Sequence, residues 1–404
     1  MATGNFYGKS PLLNANEIFS TIYNMIINQR VYSDNIKGTY GDLVDKFRTD
    51  GSMYGDTRLW YATNVLESTP WNDDSEAANL LALNRPDDPK VQYVTIDQFR
   101  KIWITIDNYL TKRAWSNEGA FSEFNAVTIG WLAETKRVYE SRLINTFVGT
   151  AVSAATRGTI SINLDSASSG DPLYGLTGEE YNRVEAGLIA QDIAGLLVDL
   201  KDTTTDFNDY GFLRSYSADD LLFVWNSKWV NKIKKLDLPT MFHKDGLMDK
   251  MDEYILPARY FGVEITSTNI STYSASTPTT GKPINSSTHA YTPGTNNANG
   301  CIRSLIETTV TVSGTDYHVF PGDEIPAGAT VGASQQFDYS QAYIEDSSII
   351  CKAVHRDAVP FMGAFTSNSV FWNPRSLTEN HYLVWGYSKP CYLYNRPFLT
   401  IKKK

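Results

Sequence analysis

Apolar residues recur along this chain with two different periods, and the changes between them divide it. From Ser116 to about Val152 they return every three or four residues, at Phe121, Phe124, Trp131, Leu132, Val138, Leu143, Phe147 and Val148. That spacing predicts one long amphipathic helix. Ser116 is placed to cap it, with Glu118 in the first turn, and Glu134, Arg137 and Glu140 stand three apart on an exposed face. At 1.5 Å per residue such a helix runs about 50 Å, more than a small core needs. A shorter helix is predicted from Asn16 to Gln29, with Ile18, Ile22, Met25 and Ile26 on one face. Arg157 to Asp165 alternates instead, Ile160, Ile162 and Leu164 against Thr159, Ser161 and Asn163, which predicts a half-buried strand. Thr177-Gly178-Glu179-Glu180 reads as a capping box. It opens a helix striped by Ala186, Ile189, Ile193, Leu196, Leu197 and Leu200. Leu221 to Trp225 reads as a short buried strand, and Ser227 to Leu236 as a basic amphipathic helix with Lys228, Lys232, Lys234 and Lys235.

Elsewhere the periods fail. Residues 56–113 hold Trp60, Trp71 and Trp103, and the stretch Asn84-Arg85-Pro86-Asp87-Asp88-Pro89 excludes helix there. Val91 to Ile106 has strand-like patches, so the segment reads as an extended excursion that a neighbour covers. From Thr266 to Gly300 the chain is rich in Ser, Thr and Asn, broken by Pro278, Pro283 and Pro293, and carries no acidic residue from Thr268 on. Its few large apolar residues are too sparse for a core of its own, so Thr268 to Gly300 is expected to be an exposed, dispensable tip. Ile306 to Val312 alternates, Ser313-Gly314-Thr315-Asp316 can turn, and Tyr317 to Phe320 can return, a hairpin signal. Residues 266–345 therefore read as a mostly β insertion. Strands are predicted at Ile349 to Val354, His381 to Tyr387 and Cys391 to Ile401, with breaks at Asn373-Pro374 and Pro390.

Composition narrows the function. Of 404 residues, 42% are apolar and 20% charged, which is globular rather than disordered. The aromatic share is 13%, enough for a core and for interfaces besides. A net charge of −9 disfavours sequence-independent affinity for nucleic acid. No apolar run approaches the roughly 18 residues of a membrane span. Met1 to Lys9 is polar, without a signal-peptide core, so a cytoplasmic protein, or one released by lysis, is expected.

The residues that would carry catalysis do not form a constellation. Cys301, Cys351 and Cys391 lie far apart with no CxxC pair, and read as free thiols. The five histidines show no metal-binding spacing; His355 and Asp357 are expected to share at most a surface hydrogen bond. There is no GxSxG elbow. Thr277 to Lys282 only mimics the end of a phosphate loop. Asn269 and Asn285 begin glycosylation sequons, meaningful only in a secreted eukaryotic protein. The acidic pairs Asp73-Asp74, Asp219-Asp220 and Asp249/Asp252 could serve a glycosidase, but a turn or helix start after Ser217 explains Asp219. Lys402 to Lys404 reads as a frayed, soluble tail. No enzyme, metal or cofactor is expected.

The order of elements resembles that of tailed-bacteriophage major capsid proteins, the Johnson fold. It is most similar to those of small short-tailed podoviruses with protein-primed genomes. Phe371-Trp372-Asn373-Pro374-Arg375, followed by His381-Tyr382-Leu383-Val384-Trp385, carries that likeness, together with the buried strand and basic helix of Asp220 to Leu236. The resemblance implies an α+β fold. Residues 1–55 would be an N-terminal arm and 56–115 an E-loop. Residues 116–176 would hold the spine helix and peripheral-domain strands, and 177–265 the axial domain. The β-rich insertion spans 266–345, and 346–404 returns to axial and peripheral strands. It implies a self-assembling shell subunit of a double-stranded DNA phage head, forming hexamers and pentamers, with scaffold and portal proteins as partners. DNA would be enclosed without sequence-specific contact, no membrane would be involved, and shells would assemble in the bacterial cytoplasm. Intersubunit contacts are expected at Trp60, Trp71, Trp103, Trp372, Asn373, Pro374, Arg375 and Trp385. A glycan-binding or glycan-processing virion surface protein, and an encapsulin-like compartment shell, are the alternatives.

Overall fold

The computed structural model describes residues 42–51, 55–68, 85–107, 118–234, 252–293 and 300–404. In chain order the elements are α1 (Asp42–Phe47), β1 (Arg48–Asp50), β2 (Thr57–Ala62), β3 (Lys90–Asp107), α2 (Glu118–Thr150), β4 (Thr159–Ile162), α3 (Gly178–Lys201), β5 (Leu221–Asn226), α4 (Ser227–Lys234) and β6 (Asp252–Leu256). There follow β7 (Gly262–Glu264), β8 (Ser274–Ala275), β9 (Ile284–Asn285), β10 (Ile302–Ser304), β11 (Thr308–Val312), β12 (Thr315–Val319), β13 (Ala342–Glu345), β14 (Ile349–His355), β15 (Phe361–Asn373), β16 (Thr378–Ser388) and β17 (Phe398–Lys403). They divide into two units. The larger holds Tyr40–Phe99, Val138–Phe365 and Gly386–Lys404; the smaller includes Arg100–Arg137 and Thr366–Trp385.

The larger unit is built on a five-stranded sheet in the order β4-β17-β14-β5-β6. β5 and β14 are buried at every position, as expected of central strands covered on both faces. Leu221, Phe223 and Trp225 of β5 and Cys351 and Ala353 of β14 share one cluster with the stripe Ala186, Ile189, Ile193, Leu196, Leu197 and Leu200 of α3. Burying a large aliphatic side chain of this kind stabilises by about 1.5–3 kcal/mol. The capping box does not form: Thr177 is the N-cap, but its side chain makes no capping hydrogen bond. Gly178 enters the helix at φ 62°, a left-handed start that replaces the regular first turn on which the box depends. Glu179 and Glu180 still place negative charge in the first turn. The C-terminus corrects a second expectation, since Lys402 and Lys403 belong to β17, opposite Ser161 and Ile162, and the Lys404 N–H donates to the Ile162 carbonyl at 2.9 Å. Of the strand predicted from Cys391, only Phe398–Lys403 forms; Asn395-Arg396-Pro397 ends a turn closed by the Arg396 N–H on the Leu393 carbonyl at 3.1 Å.

Residues 266–345 do have a core. Ile265, Ile284, Tyr291, Ile302, Val310, Val319, Ile325, Ala329, Val331, Phe337 and Ala342 are buried together. Two of these, Ile284 and Tyr291, come from the supposed dispensable tip. β11 and β12 pair as the predicted hairpin, but on a two-residue turn with Ser313 at φ 53° and Gly314 at φ 81°, the primed geometry that matches strand twist. An ion pair ties this segment to α2: Arg142 Nη1 and Nη2 donate to Asp323 Oδ2 and Oδ1 at 3.0 and 2.6 Å. Burial pushes the Asp323 carboxyl up, but the hydrogen bonds and charge of Arg142 outweigh it and hold it below the ordinary carboxylate value. Arg142→Met should therefore cost about 1–3 kcal/mol near neutral pH. A carboxyl with a depressed pKa stabilises above its ordinary value of about 3.9 and loses that contribution as pH falls through the depressed one. The gap in melting temperature between variant and wild type should close in acid.

In the smaller unit the strand segments run in the order β15-β16-β3. Asn373 Oδ1 accepts the Arg375 N–H at 3.1 Å, an Asx turn that Pro374 suits, at the break the sequence predicted; the strand β15 that leads into it was not predicted. Lys136 of α2 donates to Thr366 Oγ1 at 2.7 Å.

Candidate interface surface

The β2–β3 hairpin has two unlike faces, set by its register. Leu59 pairs with Tyr93, Trp60 with Gln92 and Tyr61 with Val91. Side chains alternate, so Trp60 and Ala62 share one face with Val94, while Leu59 and Tyr61 share the other with Tyr93. The first face is inward: Val94, Ile96 and Met362 form a small core against which Trp60 packs half-buried. The second is open, with Leu59 45%, Tyr61 62%, Tyr93 67% and, further along β3, Phe99 51% exposed. A hydroxyl pair, Thr57 Oγ1 to Thr95 Oγ1 at 2.9 Å, is the polar contact beside them. An antiparallel hairpin with one face in the core ordinarily carries polar residues on the other. Contiguous exposed apolar surface marks a binding surface instead.

The smaller unit repeats the pattern at its hairpin tip. Trp103 is 60% and Phe371 61% exposed. Phe371 meets Tyr382 edge-on, ring centroids 5.7 Å apart. Thr105 donates to Asn380 Oδ1 at 2.7 Å, so β3 and β16 present Trp103 and Tyr382 on a common face with Phe371. The Lys101 ammonium lies 5.3 Å from the Trp103 ring centroid, a cation–π contact available to a partly solvated aromatic.

Of the residues singled out in the sequence, Trp103, Trp372, Asn373, Pro374 and Arg375 are exposed, the last four consecutive across one turn. Trp60 lies on the inward face. Trp71 is outside the described residues. Trp385 is buried, 1% exposed, so it offers a neighbour no surface and is a core residue rather than an intersubunit contact. Leu59, Tyr61, Tyr93, Phe99 and Phe371 were missed. The alternation from Tyr93 to Ile106, aromatic at 93, 99 and 103 against aliphatic at 94, 96, 102, 104 and 106, was the signal that could have found two of them, Tyr93 and Phe99.

The residues weighed for chemistry are engaged structurally. His355 is buried rather than at the surface; its Nδ1 accepts the Asp357 backbone N–H at 3.1 Å and its Nε2 lies 3.2 Å from Arg396 Nη1. Burial first, then the Arg396 guanidinium, hold its pKa below the ordinary imidazole value. The Asp219 N–H is capped by Ser217 Oγ at 3.4 Å, and Asp252 pairs with Lys46 at 3.4 Å and Arg356 at 3.0 Å. Thr279 and Lys282 exchange backbone hydrogen bonds at 3.0 and 2.8 Å across a tight turn. All three cysteines are free thiols. Among the described residues no three of His, Cys, Asp and Glu group to hold a metal, and no helix is long and apolar enough to cross a membrane.

A family model for Phi29-like phage major capsid proteins matches residues 13–392. Among solved structures the chain is similar to the capsid structure of Staphylococcus phage Andhra, at 10% identity and a TM-score of 0.53, over 93% of this chain and 86% of that one. It is also similar to a chain from the structure of head fiber and inner core protein gp22 of native bacteriophage P68, at 10% identity and a TM-score of 0.54, over 89% and 84%. At such identities the likeness concerns the fold. No curated protein sequence matches the chain.

Proposed function

The chain belongs to the Phi29-like phage major capsid protein family, and from that premise we propose how its surfaces build the shell. It is a structural subunit of a phage capsid, not an enzyme; the family match falls on that reading and on neither the glycan nor the compartment alternative. We infer closed shells of hexamers and pentamers assembled in the bacterial cytoplasm with scaffold and portal partners. Double-stranded DNA is enclosed without sequence-specific contact, consistent with the net charge of −9. Residues 56–115 act as the E-loop, α2 as the spine of the peripheral domain, and 177–265 within the axial domain. Trp103, Trp372 and the Asn373 to Arg375 turn are contact points at the tip of the smaller unit.

The observation that carries this reading is the open apolar face Leu59, Tyr61 and Tyr93, backed by an inward face that already fills its own small core. A second copy of the chain is the partner that a closed shell supplies to every such face. Tyr61→Ser combined with Tyr93→Ser should leave the melting of the isolated subunit unchanged to within about 0.5 kcal/mol, because both are surface sites. The same pair should abolish or strongly impair shell formation, since each buried aromatic anchor is worth about 2 kcal/mol or more. Sedimentation and negative-stain microscopy, with scaffold co-expressed, read the result. Normal shells at wild-type concentration would remove this face from the interface, and an unfolded subunit would make it core.

A further inference from the structure

One ionisable side chain lies deep in the larger unit with no acid against it. Lys352, in the middle of β14, is fully buried. The cross-strand register sets it opposite Thr400 of β17 and Val224 of β5, on the sheet face away from α3. Its Nζ donates to the Ala151 carbonyl, just past the end of α2, at 2.8 Å and to Thr400 Oγ1 at 2.8 Å. These two acceptors match the two N–H groups of a neutral amine; an ammonium would carry a third N–H.

The surroundings pull in both directions. The C-terminal end of α2 favours positive charge, and so does the Phe398 ring, whose centroid is 5.9 Å from Nζ. Asp346, ahead of β14, and Glu264, on β7, act in the same sense from a distance, as does Cys351; Lys402 on β17 opposes them. None of the described carboxylates forms an ion pair with Nζ. Complete burial works against the charged form and outweighs the rest, holding the group down at about 7.

We propose that Lys352 is held as the neutral amine in the folded capsid subunit, and that proton uptake there weakens the joint between the end of α2 and the β14–β17 ladder. The joint is thereby a pH-sensitive element of the subunit, separate from the surfaces proposed for assembly. A base whose folded pKa lies below its unfolded value of about 10.4 binds fewer protons when folded, so stability rises with pH between the two. Below the folded value the penalty is complete.

The test compares full-length wild type with Lys352→Gln and Lys352→Met, by denaturant melting from about pH 7.5 to about pH 9.5. Gln keeps two N–H donors and cannot titrate; Met fills the site without polarity. The wild type should gain on both by about tenfold in folding equilibrium per pH unit. A gap that stays constant with pH, or that moves the other way, overturns the proposal. Should neither variant fold, selective 13C labelling of lysine in the wild type gives the same answer. One Cε resonance should titrate near neutrality while exposed lysines titrate at about 10.4. If every lysine resonance keeps its charged position to about pH 9, Lys352 is an ammonium in the fold and the proposal fails.

Discussion

Replacing residues 268–300 with a short Gly-Ser linker should unfold the whole β-rich segment from 266 to 345. The replaced stretch supplies Ile284 and Tyr291, 0% and 1% exposed, at the middle of that segment's core. Tyr291 is also its polar hub. Its hydroxyl donates to Glu324 Oε1 at 2.6 Å, its N–H donates to the Ala329 carbonyl and its carbonyl accepts the Gly328 N–H, both at 2.8 Å. Losing one buried large aromatic costs about 3–5 kcal/mol and losing a buried isoleucine about 2–5. Both go together with the strand β9 that carries Ile284. Together these losses are comparable to the whole net stability of a domain, about 5–15 kcal/mol. Limited proteolysis should show new cuts between Ile302 and Glu345 in the deletion. Tyr291→Ala alone should show the same cuts at lower denaturant than wild type. A deletion that keeps wild-type protection there would mean that these side chains are peripheral.

That expectation reverses what the sequence suggested, and the reason is physical. The central sheet was legible because β5 is an apolar run and β14 one interrupted before its last residue only by Lys352, and α3 because six side chains fall at helical spacing. Residues 266–345 have neither. Their core is assembled from single residues, Ile284, Tyr291, Ile325, Val331 and Phe337 among them, each in a different short piece. Outside the alternating β11–β12 hairpin no window of sequence holds two periods of such a pattern, so most of the core exists only once the turns have brought the pieces together. The capping box failed for a local reason, the left-handed entry at Gly178. Lys402 and Lys403 read as a tail because they are charged, although the end of a strand accepts any side chain that can reach water. Half of the candidate interface was legible too. Trp103 and the turn after Phe371 lie at the surface, but selecting tryptophans by type rather than by strand parity took Trp60 and Trp385 from inward positions. Parity sets Trp60 on the face of Ala62, opposite Leu59 and Tyr61, and groups Trp385 with the buried His381 and Leu383.

Two glycines of α2 should answer the same substitution with opposite signs. Glycine in a helix interior costs about 0.8–1.0 kcal/mol relative to alanine, so Gly130→Ala, where an added Cβ meets nothing within 4 Å, should stabilise by about that amount. Gly149, the penultimate residue of the same helix, faces backbone instead. A Cβ there would sit on the Tyr260 carbonyl oxygen, with the Tyr260 carbonyl carbon at 2.7 Å and the Phe261 nitrogen at 3.3 Å. Neither neighbour is free to yield. Tyr260 and Phe261 are fully buried, Gly322 lies beneath the Tyr260 ring, and Tyr343 Oη donates to the Arg259 carbonyl at 2.6 Å. Overpacking a core costs about 1–3 kcal/mol where side chains can shift, and more where backbone must. Gly149→Ala is therefore expected to lose about 3 kcal/mol or more despite the gain in helix propensity. It should also expose the joint between α2 and the segment from Pro257 to Glu264 to amide exchange before the rest of the subunit. Parallel denaturant melts of the two alanine variants decide the matter: a Gly149→Ala chain as stable as the Gly130→Ala chain would mean that α2 does not approach this backbone closely.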